Sequence, residues 1–217
     1  MSNELIKRIL SSLILLPAII FLIIKGSYFF YSLLFITLII SAYEWHHMSK
    51  NKSYYLLGFM MLVIFIYSTY KLKTYPDNNY WRLLIITSIC ILTDIGGYLF
   101  GKTLKGPKIT KFSPNKTYAG SIGGIILSIS SIPFFLSNDL INNQNLVNII
   151  LFFILISATS QIGDITVSYF KRISKIKDTG KIIPGHGGLL DRIDGMIFAF
   201  PIALIFLSLN FFENILK

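Results

Sequence analysis

Residues Ser168–Asp194 read SYFKRISKIKDTGKIIPGHGGLLDRID and stand between two apolar runs, 146–163 (LVNIILFFILISATSQIG) and 195–212 (GMIFAFPIALIFLSLNFF). Charge packed this densely between runs of that kind is costly. The glycines let backbone approach a ligand closely and let successive amides converge on phosphate oxygens. Cations and hard carboxylates stand beside them. The most economical reading is a site for a highly anionic substrate together with a metal ion.

Working outward, 53% of the 217 residues are hydrophobic and 14% charged, with a mean hydropathy of +0.66, whereas soluble domains carry about 25% charged residues. The chain is an integral membrane protein. Seven apolar segments can be marked, at 9–24, 27–43, 54–70, 83–100, 118–137, 146–163 and 195–212. Several are shorter than the roughly 20 residues of an ideal span, and flanking Lys25, Tyr28, Tyr54 and Tyr70 extend them toward the interface. The expected fold is all-α, a polytopic membrane bundle of about seven transmembrane helices. Residues 1–80 would hold about three N-terminal spans and residues 81–217 a catalytic transmembrane region.

The first segment follows Lys7 and Arg8 but has no small-x-small cleavage site, so it reads as an uncleaved helix. Counting Lys and Arg by alternate loops orients the chain. With the N-terminus cytoplasmic, the inner regions hold Lys7, Arg8, Lys50, Lys52, the five lysines from Lys102 to Lys116 and the six cations from Lys171 to Arg192. That is fifteen of twenty. The net charge of +10 therefore lies beside spans, where it sets topology or meets headgroups and phosphates rather than nucleic acid. Cys90, the single cysteine, excludes an intramolecular disulfide.

Gln161, Asp164, Ser168, Lys171 and Lys175 recur at spacings of three or four, which puts them on one polar stripe of a helix. Asp178, Asp191 and Asp194 follow in the glycine-rich stretch, and carboxylates of this kind suit Mg²⁺, which takes one or two of them plus substrate phosphates. Asp94 lies inside an apolar run, where a carboxylate is a functional candidate by default. Gly96, Gly97 and Gly101 near it would let a neighbouring helix come close. His46 and His47 lack metal-ligand spacing and read as interface residues. Lys102, Lys105, Lys108 and Lys111 form a spaced cationic loop.

With these residues in view, the string SYFKR, four residues, then KDTGKIIPGHGGLLDRID resembles the signature of the phosphatidate cytidylyltransferase family, also called CDP-diacylglycerol synthases. Upstream, Asp94, Gly96, Tyr98, Gly101 and Lys102 resemble the family's Asp-x-Gly-x-Tyr segment. Ser113, Pro114, Lys116, Thr117 and Gly120 resemble its Ser-Pro-x-Lys-Thr motif, and Gln161, Gly163 and Asp164 its Gln-x-Gly-Asp. Glu44 and Trp45 are a weak further match. The chain departs from the pattern at Ala119 and Val167, where the family usually has glutamate.

The resemblance implies transfer of the cytidylyl group of CTP to phosphatidate, giving CDP-diacylglycerol and pyrophosphate, with Mg²⁺ as one or two ions. It implies CTP and phosphatidate as substrates, the bilayer as surroundings, a homodimer and no nucleic-acid partner. A bacterial cytoplasmic membrane, with the site facing the cytoplasm, is the expected location. Asp164 and Asp191 are the first candidates for metal ligands, because a hairpin would bring the two ends of the polar segment together around ions about 4 Å apart; Asp94, Asp178 and Asp194 are further ones. Lys171, Arg172, Lys177 and Arg192 would bind triphosphate or the lipid headgroup, and His186 the leaving pyrophosphate. Ser113, Lys116 and Thr117 would close over the nucleotide, with Ser168, Gly187 and Gly188 also in contact with substrate. Rival readings are a CTP-dependent lipid kinase, an inactive homologue, an ion-coupled transporter and a CDP-alcohol phosphotransferase. The last requires further aspartates after Asp194 that the chain lacks.

Overall fold

The computed structural model describes residues 3–74, 79–110, 112–113, 116–142, 145–183, 185, 187–209 and 215–216, with side chains from residue 13 onward. Its elements are helices: α1 (Asn3–Lys25), α2 (Ser27–Ser49), α3 (Tyr55–Thr74), α4 (Tyr80–Leu104), α5 (Tyr118–Ile129), α6 (Ile132–Ser137), α7 (Leu146–Ile173) and α8 (Leu190–Ser208). Among the described residues there are no strands, only isolated bridges. Within the described residues the apolar segments fall mainly on helix, with α5 and α6 forming one apolar stretch broken at Ser130 and Ser131. Five helical stretches are long and apolar enough to cross a membrane: α2, α3, α4, α5 with α6, and α7. In α1 the fully described part, Leu13–Lys25, is apolar, and the first turns of α8 carry Asp191, Arg192 and Asp194. The protein is a multi-pass membrane protein.

The chain divides into two compact units. One comprises Met1–Tyr67 and Phe170–Asp194; the other comprises Ser68–Tyr169 and Gly195–Lys217. The charged segment thus packs with the first helices. In that unit the Trp45 ring lies 5.4 Å from Phe170 and 6.0 Å from Tyr54, edge to face. The Trp45 indole N–H donates to the Tyr55 carbonyl at 2.9 Å. Tyr54 Oη and Ser174 Oγ are 2.6 Å apart. Aromatic pairs of this geometry add about 0.5–1.5 kcal/mol each beyond their burial. They hold the end of α7 against the α2–α3 turn.

The second unit is built on α4, whose Leu83, Ile85, Ile86, Ile89 and Cys90 are buried, as are Ile149, Phe152, Phe153 and Ile156 of α7. Thr93 Oγ1 donates to Ser157 Oγ at 2.8 Å between those two helices. The close approach expected at the α4 glycines is present. A Cβ on Gly96 would lie 2.7 Å from the Gly123 carbonyl oxygen, and one on Gly120 2.6 Å from that of Gly97. Small residues allow such backbone contact between helices in a membrane, where apolar burial alone does not drive association.

Candidate active site

In the second unit the loop before α5 is fixed by short-range bonds. Lys116 N–H donates to the Ser113 carbonyl at 3.1 Å, Ile109 N–H to the Lys116 carbonyl at 3.0 Å, and Lys108 and Thr117 form a bridge. Thr117 has extended backbone and caps α5, its Oγ1 accepting from Gly120 N–H at 3.1 Å, as hydroxyl residues do for the orphan amides of a first turn. That cap fixes where Lys116 emerges. Its ammonium pairs with the carboxylate of Asp164 on α7. Ser168 Oγ, one turn on, donates to Asp164 Oδ1 at 3.3 Å. One turn back, Gln161 bonds Ser121 through both its amide groups. Lys116, from the upstream motif, here stands together with Asp164 and Ser168 of the polar stripe.

The first unit gathers a second set. Lys171 Nζ donates to Asp191 Oδ1 at 2.8 Å. Asp191 Oδ2 accepts from Thr179 N–H at 2.9 Å and from Gly188 N–H at 3.0 Å. Burial pushes the Asp191 carboxyl up, but the Lys171 hydrogen bond and charge and the two backbone amides outweigh it. The group is held below the usual carboxylate range. The loop between turns tightly: Ile183 bridges Gly187, and Gly185 and Gly187 have φ of 77° and 87°, a region where glycine is at ease.

The polar stripe ends differently from its sequence spacing. Gln161, Asp164, Ser168 and Lys171 lie on α7, but the helix stops at Ile173 and Lys175 has φ 60°. Lys175 N–H bonds the Arg172 carbonyl and Ile176 N–H the Lys171 carbonyl, both at 3.0 Å. This paired closure uses a left-handed residue just past a helix end, usually glycine. Here a lysine fills that position and leaves the stripe.

Arg172, Lys177, Asp178 and Arg192 are exposed, and Arg172 Nη1 donates to the Ile176 carbonyl at 3.2 Å. Asp194 is buried in the second turn of α8, and Asp94 is exposed along α4. Ser113 N–H donates to Thr110 Oγ1 at 3.2 Å. His186 lies outside the described residues. Val167, where the resemblance led us to expect an acid, is 1% exposed.

Sequence reasoning missed the part played by Glu44. This residue of α2 is 1% exposed. Its Oε1 accepts from Leu189 N–H at 2.9 Å, and its Oε2 from Leu190 N–H at 2.7 Å and Thr179 Oγ1 at 3.2 Å. The available signal was an acid at the end of an apolar run, beside Trp45. Neighbouring Tyr43 and His47, with ring centroids 4.4 Å apart, line a cleft of about 410 Å³ with Glu44, Thr179, Gly180, Lys181 and Ile182.

The donor set bears on Mg²⁺. Among the described residues no three His, Cys, Asp or Glu gather, so they form no all-protein cage. A site completed by substrate phosphates needs only one or two reachable carboxylates. Asp164, with 24% of its side chain exposed, fits that requirement. Asp191, at 5%, does not fit as readily, since both its oxygens are engaged.

Comparison with known proteins places the chain among relatives. Residues 53–210 match the model of the cytidylyltransferase family. The chain is 37% identical over 207 residues to a phosphatidate cytidylyltransferase of Rickettsia bellii, covering 92% of this chain and 89% of that protein. It is 34% identical over 208 residues to that of Rickettsia felis, with 93% and 91% covered. To that of Haemophilus influenzae it is 36% identical over 163 residues, covering 70% of this chain and 57% of the longer relative. By the extent of these matches, and with lysine–aspartate pairs at the positions that first suggested the resemblance, the chain belongs to the cytidylyltransferase family.

Proposed function

We propose that the protein transfers the cytidylyl group of CTP to phosphatidate, forming CDP-diacylglycerol and pyrophosphate, at the cytoplasmic face of a bacterial inner membrane. The observation that carries this reading is the Lys116–Asp164–Ser168 cluster, a reachable carboxylate balanced by a lysine on a capped loop. The orientation rests on the loop distribution of Lys and Arg.

In the reaction, an oxygen of the phosphatidate phosphate attacks the α-phosphorus of CTP. A new P–O–P linkage forms, the bond from that phosphorus to the α–β bridging oxygen breaks, and pyrophosphate leaves with the electron pair. The attacking oxygen is already ionised near neutral pH, so no general base is needed. The described residues accordingly supply charge and position. Bringing two anions together is the main obstacle, and fixed cations aimed at developing charge are the main remedy.

Asp164 would hold Mg²⁺ with substrate phosphates completing the shell, and the ion when bound supplies neutralisation of the triphosphate. Lys116, tethered by its turn and by the Thr117 cap, would stay within reach of the same phosphates as Asp164 exchanges partners. Exposed Arg172, Lys177 and Arg192 would contact the triphosphate or the lipid headgroup. Lys171 plays another part: buried against Asp191, it keeps that carboxylate charged and the following loop in register.

Purified protein in detergent micelles, given α-labelled CTP and phosphatidate, should produce labelled CDP-diacylglycerol in the presence of Mg²⁺ and none with the metal chelated. Absence of labelled lipid from well-folded protein would overturn the reading. Release of CDP instead of pyrophosphate would identify a lipid kinase.

A further inference from the structure

We infer that Glu44, from the N-terminal helices, is a positioning residue for this reaction, fixing the glycine-rich loop Thr179–Leu190 in its working conformation; the inference rests on the cytidylyltransferase reading above. The first amides of a helix have no partners within it. They are usually met by a Ser, Thr, Asp or Asn at the N-cap. The residue before α8 is Leu189, which has no side-chain acceptor. Glu44 takes over that role from another helix, receiving the N–H groups of Leu189 and Leu190. A carboxylate there also lies at the positive end of the α8 dipole.

The contact with Thr179 makes this more than a cap. Thr179 is gripped twice, its N–H by Asp191 and its hydroxyl by Glu44. The loop is therefore anchored at its start and at its end by the same two carboxylates. Glycines close over Glu44 from both sides. A Cβ on Gly180 would lie 2.5 Å from Glu44 Oε1, and one on Gly188 2.7 Å from each oxygen. A buried carboxylate is expensive unless its hydrogen bonds are made. The loop cannot drift without exposing or orphaning it.

What is held in place is chemically useful. Gly180 and Lys181 form one wall of the cleft whose other wall is Tyr43 and His47, either side of Glu44 on α2. Asp191 and the amide of Gly188 share the same anchorage. Displacements of about 1 Å in groups that position substrate can cost on the order of 10²-fold in rate. Glu44 touches no reacting atom in this account; it acts through the loop.

The test uses the full chain in micelles. Glu44→Gln keeps the volume but replaces one of the two acceptor oxygens with an NH2 group that cannot accept from an N–H, and Thr179→Val replaces only the hydroxyl, with a methyl. For Glu44→Gln we expect kcat to fall on the order of 10²-fold, with the KM for CTP changed less than about threefold. Thr179→Val should lower kcat by a smaller factor, and the double variant should be no worse than Glu44→Gln alone, because both act through one contact. Trypsin cleavage after Lys177 and Lys181 under native conditions should be faster in Glu44→Gln than in the wild type. That measurement is independent of activity: if the wild type makes no CDP-diacylglycerol, the functional reading fails while the cleavage rates still report on the anchor. An unchanged kcat with unchanged cleavage would overturn the inference, as would a kcat loss that only tracks the fraction of unfolded protein and adds to that of Thr179→Val.

Discussion

Two lysine–aspartate pairs, one in each unit, use the same chemistry to opposite ends. In Lys116–Asp164 both side chains remain 24% exposed. In Lys171–Asp191 the exposures are 11% and 5%, and the second aspartate oxygen holds two backbone amides. A half-wet pair gains little from its own Coulomb energy, so a ligand can exchange with either member at small cost. A buried pair resists such exchange, because separating its members leaves an uncompensated charge out of water. On the proposed function the first pair would meet phosphate and metal, while the second holds a loop.

Neutralising one aspartate in each pair tests that division most severely. Asp164→Asn should lower kcat for cytidylyl transfer on the order of 10²–10³-fold while the thermal midpoint in micelles barely moves. Asp191→Asn should do the reverse in emphasis. It strands the Lys171 ammonium, and removing one member of a buried pair costs about 3–5 kcal/mol. The midpoint should fall steeply, and activity per folded molecule should exceed that of Asp164→Asn. If both variants lost activity equally at unchanged stability, the pairs would not be divided in this way.

The comparison also marks how far sequence could reach. Apolar runs against charged breaks made the all-helical, multi-pass fold legible, and five of the marked segments lie on helices long and apolar enough to cross a membrane, because lipid and backbone hydrogen bonding leave a long apolar segment few options. The same contrast found Asp164, Asp191 and the lysines. Which aspartate would be wet was not legible, since exposure depends on what α2 brings to the loop from more than a hundred residues away. For the same reason Glu44 was only a weak match, although its three hydrogen bonds are all to the signature segment. Lys175 left the stripe because α7 closes with a left-handed residue at that position, and spacing carries no sign of that. The grouping of Phe170–Asp194 with the first helices was hidden too: it follows from Trp45 and Tyr54 packing on Phe170, a contact that no local pattern encodes.

The supports of the first pair should matter less than the pair itself, in proportion to how directly they hold it. Thr117→Ala removes the α5 cap, an effect worth about 1 kcal/mol, and should lower the midpoint modestly while loosening Lys116. Its measurable consequence is a several-fold rise in the KM for CTP.

Ser168→Ala should have the smallest effect. The Ser168 hydroxyl reaches Asp164 Oδ1 at 3.3 Å, beyond the usual 2.5–3.0 Å for O–H donors. Asp164 keeps Lys116 as its principal partner. Ser168 is itself 7% exposed, so alanine leaves only a small gap. A single hydrogen bond contributes about 0.5–1.5 kcal/mol net, and a long one belongs at the lower end, which corresponds to a two- to threefold change in kcat/KM. A drop of that size, with the midpoint unchanged, would mean that Ser168 merely orients the carboxylate. A loss as large as that of Asp164→Asn would mean that its hydroxyl turns from Asp164 to the substrate during the reaction, and the wet centre would then comprise three working groups instead of a pair and its support.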